Sequence, residues 1–292
     1  MMNMIKTLLK GMVIGVANAI PGVSGGTMMV AMGIYDKLIH AITHLFQQFM
    51  ESMKVLLPIL FGAAVGIVGL SFVITPAFEH FPIQTNLLFI GLIVGGLPMM
   101  FQKVKSHTIN LGSIIGFLLF FAMVVVMAAM GENQGADADV SFGLINCVKL
   151  FFVGIVAAAT MVIPGVSGSM MLMLMGYYEV IIATIKEFVE AMAHLDIAGM
   201  LQGMGVLIPM AIGAVVGIFA IAKLVEFVFE RFPLVAYWSI IGLIVASPIG
   251  IILMNLDAFS KINLVSIVTG IVALAVGVII AKLLGGEEEP AE

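Results

Sequence analysis

The segment Pro21-Gly22-Val23-Ser24-Gly25-Gly26-Thr27 gathers residue types that can hold an anion. Proline stops a helix, because it lacks an N–H and crowds the preceding turn. Glycines permit a tight reversal of the chain. Ser24 can cap the helix that follows, and Thr27 adds a second hydroxyl. The N–H groups freed at a helix start, helped by the dipole, form an anion site. Asn18, just upstream, can orient a ligand or brace the turn. A related segment recurs as Pro164-Gly165-Val166-Ser167-Gly168-Ser169. This second copy is less polar: Met161, Ser169 and Met170 stand where the first has Asn18, Gly26 and Thr27. Hydrogen bonding is therefore expected to be richer on the first copy. The plain alternative is a Pro-Gly loop between two spans, and two copies in opposed halves weigh against it.

A second constellation pairs Glu79-His80 with Glu230-Arg231. Arg231 is the only arginine, and guanidinium suits phosphate through forked hydrogen bonds. Glu79 or Glu230 could carry a proton if partly buried. The competing reading is interfacial charge at helix ends flanked by anchoring phenylalanines. Catalysis on a lipid would need a nucleophile with a neighbouring acid or base. No intramembrane cluster of that kind is visible, so no enzyme is expected. His40, His44 and His194 are placed in loops beyond the motifs without metal-ligand spacing, and neither a metal nor another cofactor is expected. The lone Cys147 rules out an internal disulfide and a cysteine-based metal site.

These residues need a scaffold, and composition says which. Of 292 residues, 62% are hydrophobic and 10% charged. A soluble domain carries about 25% charged residues, so this chain cannot cover a water-facing surface. Soluble enzymes and nucleic-acid binders are excluded, and lipid is the solvent for most of the chain. Unbroken apolar runs at 111–130 and 264–284 give about 30 Å of helix each, enough to cross the hydrocarbon core. Barrel strands would be shorter and alternating. Small-residue spacings at Gly11/Gly15, Gly62/Gly66, Gly91/Gly95 and Gly213/Gly217 allow close helix approach. The 24 methionines mostly fill space. The stretch Met1 to Lys10 reads as mature protein, and Glu287, Glu288, Glu289 and Glu292 as a solvated end.

An internal repeat organises the chain. At an offset of 143, Ile20 to Gly26 matches Ile163 to Ser169, Gly33 matches Gly176, and Tyr35-Asp36 matches Tyr178-Glu179. At 151, Phe78 to Pro82 matches Phe229 to Pro233, and Ile90 to Val94 matches Ile241 to Val245. At 153, Ile109 to Ile114 matches Ile262 to Ile267. The halves are 1–140 and 141–292. Each is expected to hold a re-entrant helical hairpin, at 5–45 and 148–186, with arms of about ten residues, half the hydrocarbon core. Three spans follow in each half, near 55–76, 84–101 and 110–131, then near 204–225, 236–254 and 262–284. Three is odd, so the second half must be upside down. With the amino terminus inside, nine of the 12 basic residues fall on the cytoplasmic side. The acidic loop with Glu132, Asp137 and Asp139 falls outside, and both termini are cytoplasmic. The expected fold is an all-α integral membrane protein of the cytoplasmic membrane with two inverted-topology repeats, each a re-entrant hairpin plus three transmembrane helices. Broken helices at such a repeat interface are a recurrent transporter plan.

The run Gly11 to Thr27, with Asn18 and the Pro-Gly-Val-Ser-Gly-Gly-Thr core, resembles the prokaryotic polyprenyl-phosphate translocase family of the PopT type. Ile163 to Gly168 resembles the same pattern, and the likeness covers essentially the whole chain. The resemblance implies return of undecaprenyl phosphate from the outer to the inner leaflet, for carrier-lipid recycling in cell-envelope synthesis. It implies a phosphate site at Asn18, Pro21, Gly22, Ser24, Gly25, Gly26 and Thr27, and at Gly165, Ser167, Gly168 and Ser169. Arg231 and Glu230 match the repeated charged block. The runner-up is a transporter or channel for a small water-soluble anion, which the same hairpins would suit. The oligomeric state stays open, a homo-oligomer included.

Overall fold

The computed structural model describes residues 2–19, 24–105, 108–130, 138–141, 143–166, 168–260 and 262–285. Every regular element among them is an α-helix. The first half holds α1 (Met2–Ala19), α2 (Gly25–Ala31), α3 (Tyr35–Thr43), α4 (Phe49–His80), α5 (Pro82–Val104) and α6 (Leu111–Met130). The second holds α7 (Leu144–Val162), α8 (Gly168–Leu174), α9 (Tyr178–Ala193), α10 (Ile197–Arg231), α11 (Pro233–Met254), α12 (Leu256–Phe259) and α13 (Leu264–Gly285). Seven apolar stretches among the described residues are long enough to cross a membrane: Phe49–Ile67 within α4, then α5, α6, α7, α10, α11 and, for Leu264–Leu284, α13.

Glycines fix how these helices lie. A side chain at Gly62 or Gly66 would collide with the carbonyls of Leu8 or Met12. The contacts advance together along both helices, so α1 and α4 run parallel. Gly213 and Gly217 meet Phe151 and Ile155 in the same way, and α7 runs parallel to α10. Gly91 meets Leu274 and Gly95 meets Val278, making α5 and α13 parallel. Gly112 meets Val235 and Gly116 meets Ser239, making α6 and α11 parallel. Between α1 and α4, then, α2 and α3 must bring the chain back towards the end where α1 began. Helices α8 and α9 do the same between α7 and α10, with a bend of 108° between them.

The arms of the two turns are unequal, unlike the expected pair of ten-residue arms. Helices α1 and α7 run 18 and 19 residues, whereas α2 and α8 run 7 each. The first arms are long because nothing breaks them before the proline. The second arms are short because a glycine stops them. Gly33 donates to Val30 O and Ile34 to Met29 O, both at 3.0 Å, with Gly33 at φ +66°. Gly176 repeats this with Met173 O, and Tyr177 with Leu172 O, at φ +77°. This paired closure needs a left-handed residue, which glycine supplies without a Cβ penalty.

Helices α4 and α10 also outrun their expected spans, at 32 and 35 residues. They stop only where Phe81-Pro82 and Phe232-Pro233 break the ladder, and each proline then opens the next helix. Phe78 and Phe89 stack at 6.4 Å across the first break, so α5 folds back on α4. The core gathers around α2, α5 and α11. Every residue of α2 is buried, and 61% of the apolar stretch of α11 is buried against 17% for α13.

Candidate functional site

Ser24 precedes α2 in an extended conformation, and its Oγ accepts the Thr27 N–H at 3.5 Å. It is a cap of the kind the sequence suggests. Thr27 is fully buried. Its Oγ1 accepts the Gly165 N–H at 2.7 Å, a bond between the two Pro-Gly segments. It also lies 3.4 Å from Ser247 Oγ of α11, and Ser247 itself donates to Leu243 O at 2.9 Å. With the Ser247 proton so engaged, the Thr27 proton points to Ser247. A single hydrogen-bonded chain thus runs from Gly165 N–H through Thr27 and Ser247 to Leu243 O.

The two turns also touch through backbone. A Cβ on Gly26 would stand 3.0 Å from Pro164 Cα and 3.1 Å from Ile163 O. Gly165 sits at φ +79°, with Val124 and Leu243 pressed against the place a Cβ would take. One helical turn earlier, Asn18 lies across Gly25, as Met161 lies across Gly168. Asn18 is exposed at the edge of the site, with its amide lying against Gly25. Ser24, Gly165 and Ser247, with Val124 and Met170, line a cavity of about 20 Å³. That is room for one water and not for a phosphate group.

Ser24, Gly25, Gly26, Thr27 and Gly165 are brought together here, with Asn18 at the edge. Gly168 and Ser169 follow at the start of α8. Pro21, Gly22 and Ser167 lie outside the described residues. Helices α2 and α8 span only two turns, so little dipole builds up, and hydroxyls and amide N–H groups are the main donors. Glu79, Glu230 and Arg231 are exposed at the ends of α4 and α10. Ser247 lies about 21 Å along α11 from Pro233, the helix start beside Arg231. Glu230 and Arg231 are therefore at the rim of the bundle and do not reach the hydroxyl chain. Exposure also removes, in this state, the burial on which a proton-carrying role for Glu79 or Glu230 rested. Among the histidines, His40 lies within α3 and His44 caps its end, not in a loop as the sequence suggested.

Ser247 is the residue that sequence reasoning missed. Its signal was a hydroxyl beside Pro248 in the middle of an apolar span. A second polar group also escaped notice. Lys103 of α5 forms an ion pair with Asp36 of α3 at 2.7 Å, and Tyr237 of α11 donates to the same carboxylate at 3.4 Å. Lys103 also sits 5.3 Å from the Tyr237 ring centre. Lys10 of α1 donates to Met32 O at 2.8 Å, at the end of α2. These contacts tie the base of the first turn to α1, α5 and α11. Lys103→Met is expected to lower stability by about 1 kcal/mol, because the pair is only partly screened. The unfolding temperature in detergent checks this, and an unchanged value would show that the pair contributes nothing. Outside the spans, the Ser141 N–H donates to Asp139 at 2.8 Å and holds that carboxyl below its usual range.

Broken helices that meet at a buried polar chain inside a bundle of apolar spans define a polytopic membrane protein built on a transporter plan. The chain belongs to the undecaprenyl phosphate translocase-like family, whose model matches residues 14–261. It is 28% identical over 283 residues to a polyprenyl-phosphate transporter from Staphylococcus aureus (strain NCTC 8325 / PS 47), covering 95% of each chain. It is 25% identical over 262 residues to a polyprenyl-phosphate transporter from Vibrio cholerae serotype O1 (strain ATCC 39315 / El Tor Inaba N16961), covering 84% of this chain and 77% of that one. No solved structure matches.

Proposed function

We propose that this protein moves undecaprenyl phosphate, or a related polyprenyl phosphate, across the cytoplasmic membrane from the outer to the inner leaflet. The observation that carries the reading is the Thr27 hydroxyl bridging the two Pro-Gly turns. A phosphate arriving between the turns can take over the donors that now serve each other: the hydroxyls of Ser24, Thr27 and Ser247, and the Gly165 N–H. Asn18, exposed at the edge, would add an amide donor. The polyprenyl tail stays in lipid against the apolar outer faces of the spans. The step involves no bond cleavage, in keeping with the relatives' names as transporters.

The halves 1–140 and 141–292 act as inverted repeats in this scheme. The parallel pairs favour it: α5, the second span of its half, runs with α13, the third of the other, as α11 runs with α6. The two turns then approach the buried chain from opposite leaflets, with both termini in the cytoplasm. Arg231, at the rim, serves to capture the headgroup before it reaches the hydroxyls.

The test is leaflet-to-leaflet transfer of undecaprenyl phosphate in proteoliposomes. Ser24→Ala is expected to slow transfer about tenfold or more, the worth of a hydrogen bond to a charged group. Arg231→Ala is expected to raise the half-saturating lipid concentration and leave the maximal rate near wild type. Wild-type transfer in both variants would sink the site assignment. Flux of a soluble anion in vesicles without polyprenyl lipid would sink the substrate assignment.

A further inference from the structure

We propose that His40, His44 and Glu226 form a binding site for a divalent transition-metal ion of the zinc class, joining α3 to α10. Residues four apart on a helix share a face. The two imidazoles stack, with ring centres 4.1 Å apart and planes within 11° of parallel, and His44 turns its Nδ1 to α10. Glu226 of α10 meets them there, with its Oε1 3.3 Å from His44 Nδ1. One ligand atom from each of the three residues lies within 4.8 Å of the others.

A zinc ion sits about 2.0–2.2 Å from imidazole nitrogen or carboxylate oxygen, which sets tetrahedral ligands about 3.4 Å apart. The widest pair needs to close by about 1.4 Å, and the exposed His40 has to rotate out of the stack so that both ring lone pairs converge on one ion. Two imidazoles and one carboxylate suit zinc-class ions, whereas magnesium and calcium prefer all-oxygen shells. A supporting contact is already in place. Thr43 Oγ1 donates to Glu226 Oε1 at 2.8 Å and fixes the carboxylate, as outer partners do around metal ligands. Three protein ligands leave a coordination position for water. The site joins the helix that follows the first Pro-Gly turn to the long helix of the other half. An ion there would restrain one against the other.

The experiment uses the full chain, freed of any affinity tag and held in nanodiscs, dialysed to equilibrium against zinc with the bound metal quantified. One equivalent is expected, with affinity lowered at least tenfold in His40→Ala, His44→Ala and Glu226→Gln. Cobalt in place of zinc is expected to give the visible absorption of a tetrahedral site in wild type and not in His40→Ala. His40 is exposed, so that variant keeps the fold and separates ligand loss from unfolding. Absence of a stoichiometric ion in wild type overturns the proposal. So does wild-type affinity in either His40→Ala or Glu226→Gln. None of these readouts depends on lipid transport.

Discussion

Gly213→Leu is expected to leave most of the protein unable to fold. At this position α10 runs against α7 so closely that even a methyl group would collide with the Phe151 carbonyl. The obstacle is backbone, so no rotamer change relieves it. The same pair of helices touches again at Gly217 on Ile155 and at Gly154 on Met210, so α10 cannot pivot away from one contact without losing the others. Overpacking a well-filled interior costs about 1–3 kcal/mol when side chains can yield. Here whole helices would have to part, and the cost is expected to exceed about 3 kcal/mol, a large share of the stability of an ordinary domain. The check is the monodisperse fraction and melting temperature after purification. Gly143→Ala is the control, because nothing lies within 4 Å of a Cβ there. A Gly213→Leu protein that melts with wild type would mean the helices are not in backbone contact.

Thr27→Val is expected to reduce lipid transfer by about tenfold to a hundredfold, with a loss of about 1–3 kcal/mol in stability. Valine has nearly the shape of threonine, so the packing of this buried residue barely changes. What goes is the oxygen that accepts the Gly165 N–H and the proton that points at Ser247. A buried donor left without a partner forfeits its full desolvation cost. The same change deletes a hydroxyl from the proposed phosphate site. Thr27→Ser separates the two consequences from mere loss of bulk: it retains the oxygen and is expected to recover most of the transfer. Wild-type transfer by the valine variant would show that the headgroup passes elsewhere.

The apolar spans and both Pro-Gly segments could be read from the sequence because each has a local signature. Twenty unbroken apolar residues need a membrane whatever surrounds them, and proline with glycine interrupts a helix wherever it stands. Ser247 could not be read that way. It meets Thr27 from 220 positions away, through a packing of α11 on α2 that no short window encodes. Arg231 stands just before Pro233, and the sequence already offered a helix-end reading for it, which matches its exposed place at the end of α10. The sequence puts His40 and His44 in a loop, whereas α3 holds His40 and ends at His44, with no capping side chain at Ile34 to announce it. The helix forms with Tyr35, Ile39 and Ala41 buried and with α4 and α10 packed against it. The unequal arms followed from residues at their far ends, Gly33 and Gly176, whose left-handed backbone marks where each short arm must stop.

The chain from Gly165 through Thr27 and Ser247 ends on a carbonyl, so every donor in it already has a taker. Among the described residues, this chain itself offers no dangling proton for a stray ion or a file of water to attach to. It is insulated by its own bonding. On the proposed reading a headgroup enters by breaking the Thr27–Gly165 bond, which joins the two Pro-Gly segments. Occupancy and opening become one event, and a cargo too weakly charged to replace that bond leaves the barrier sealed.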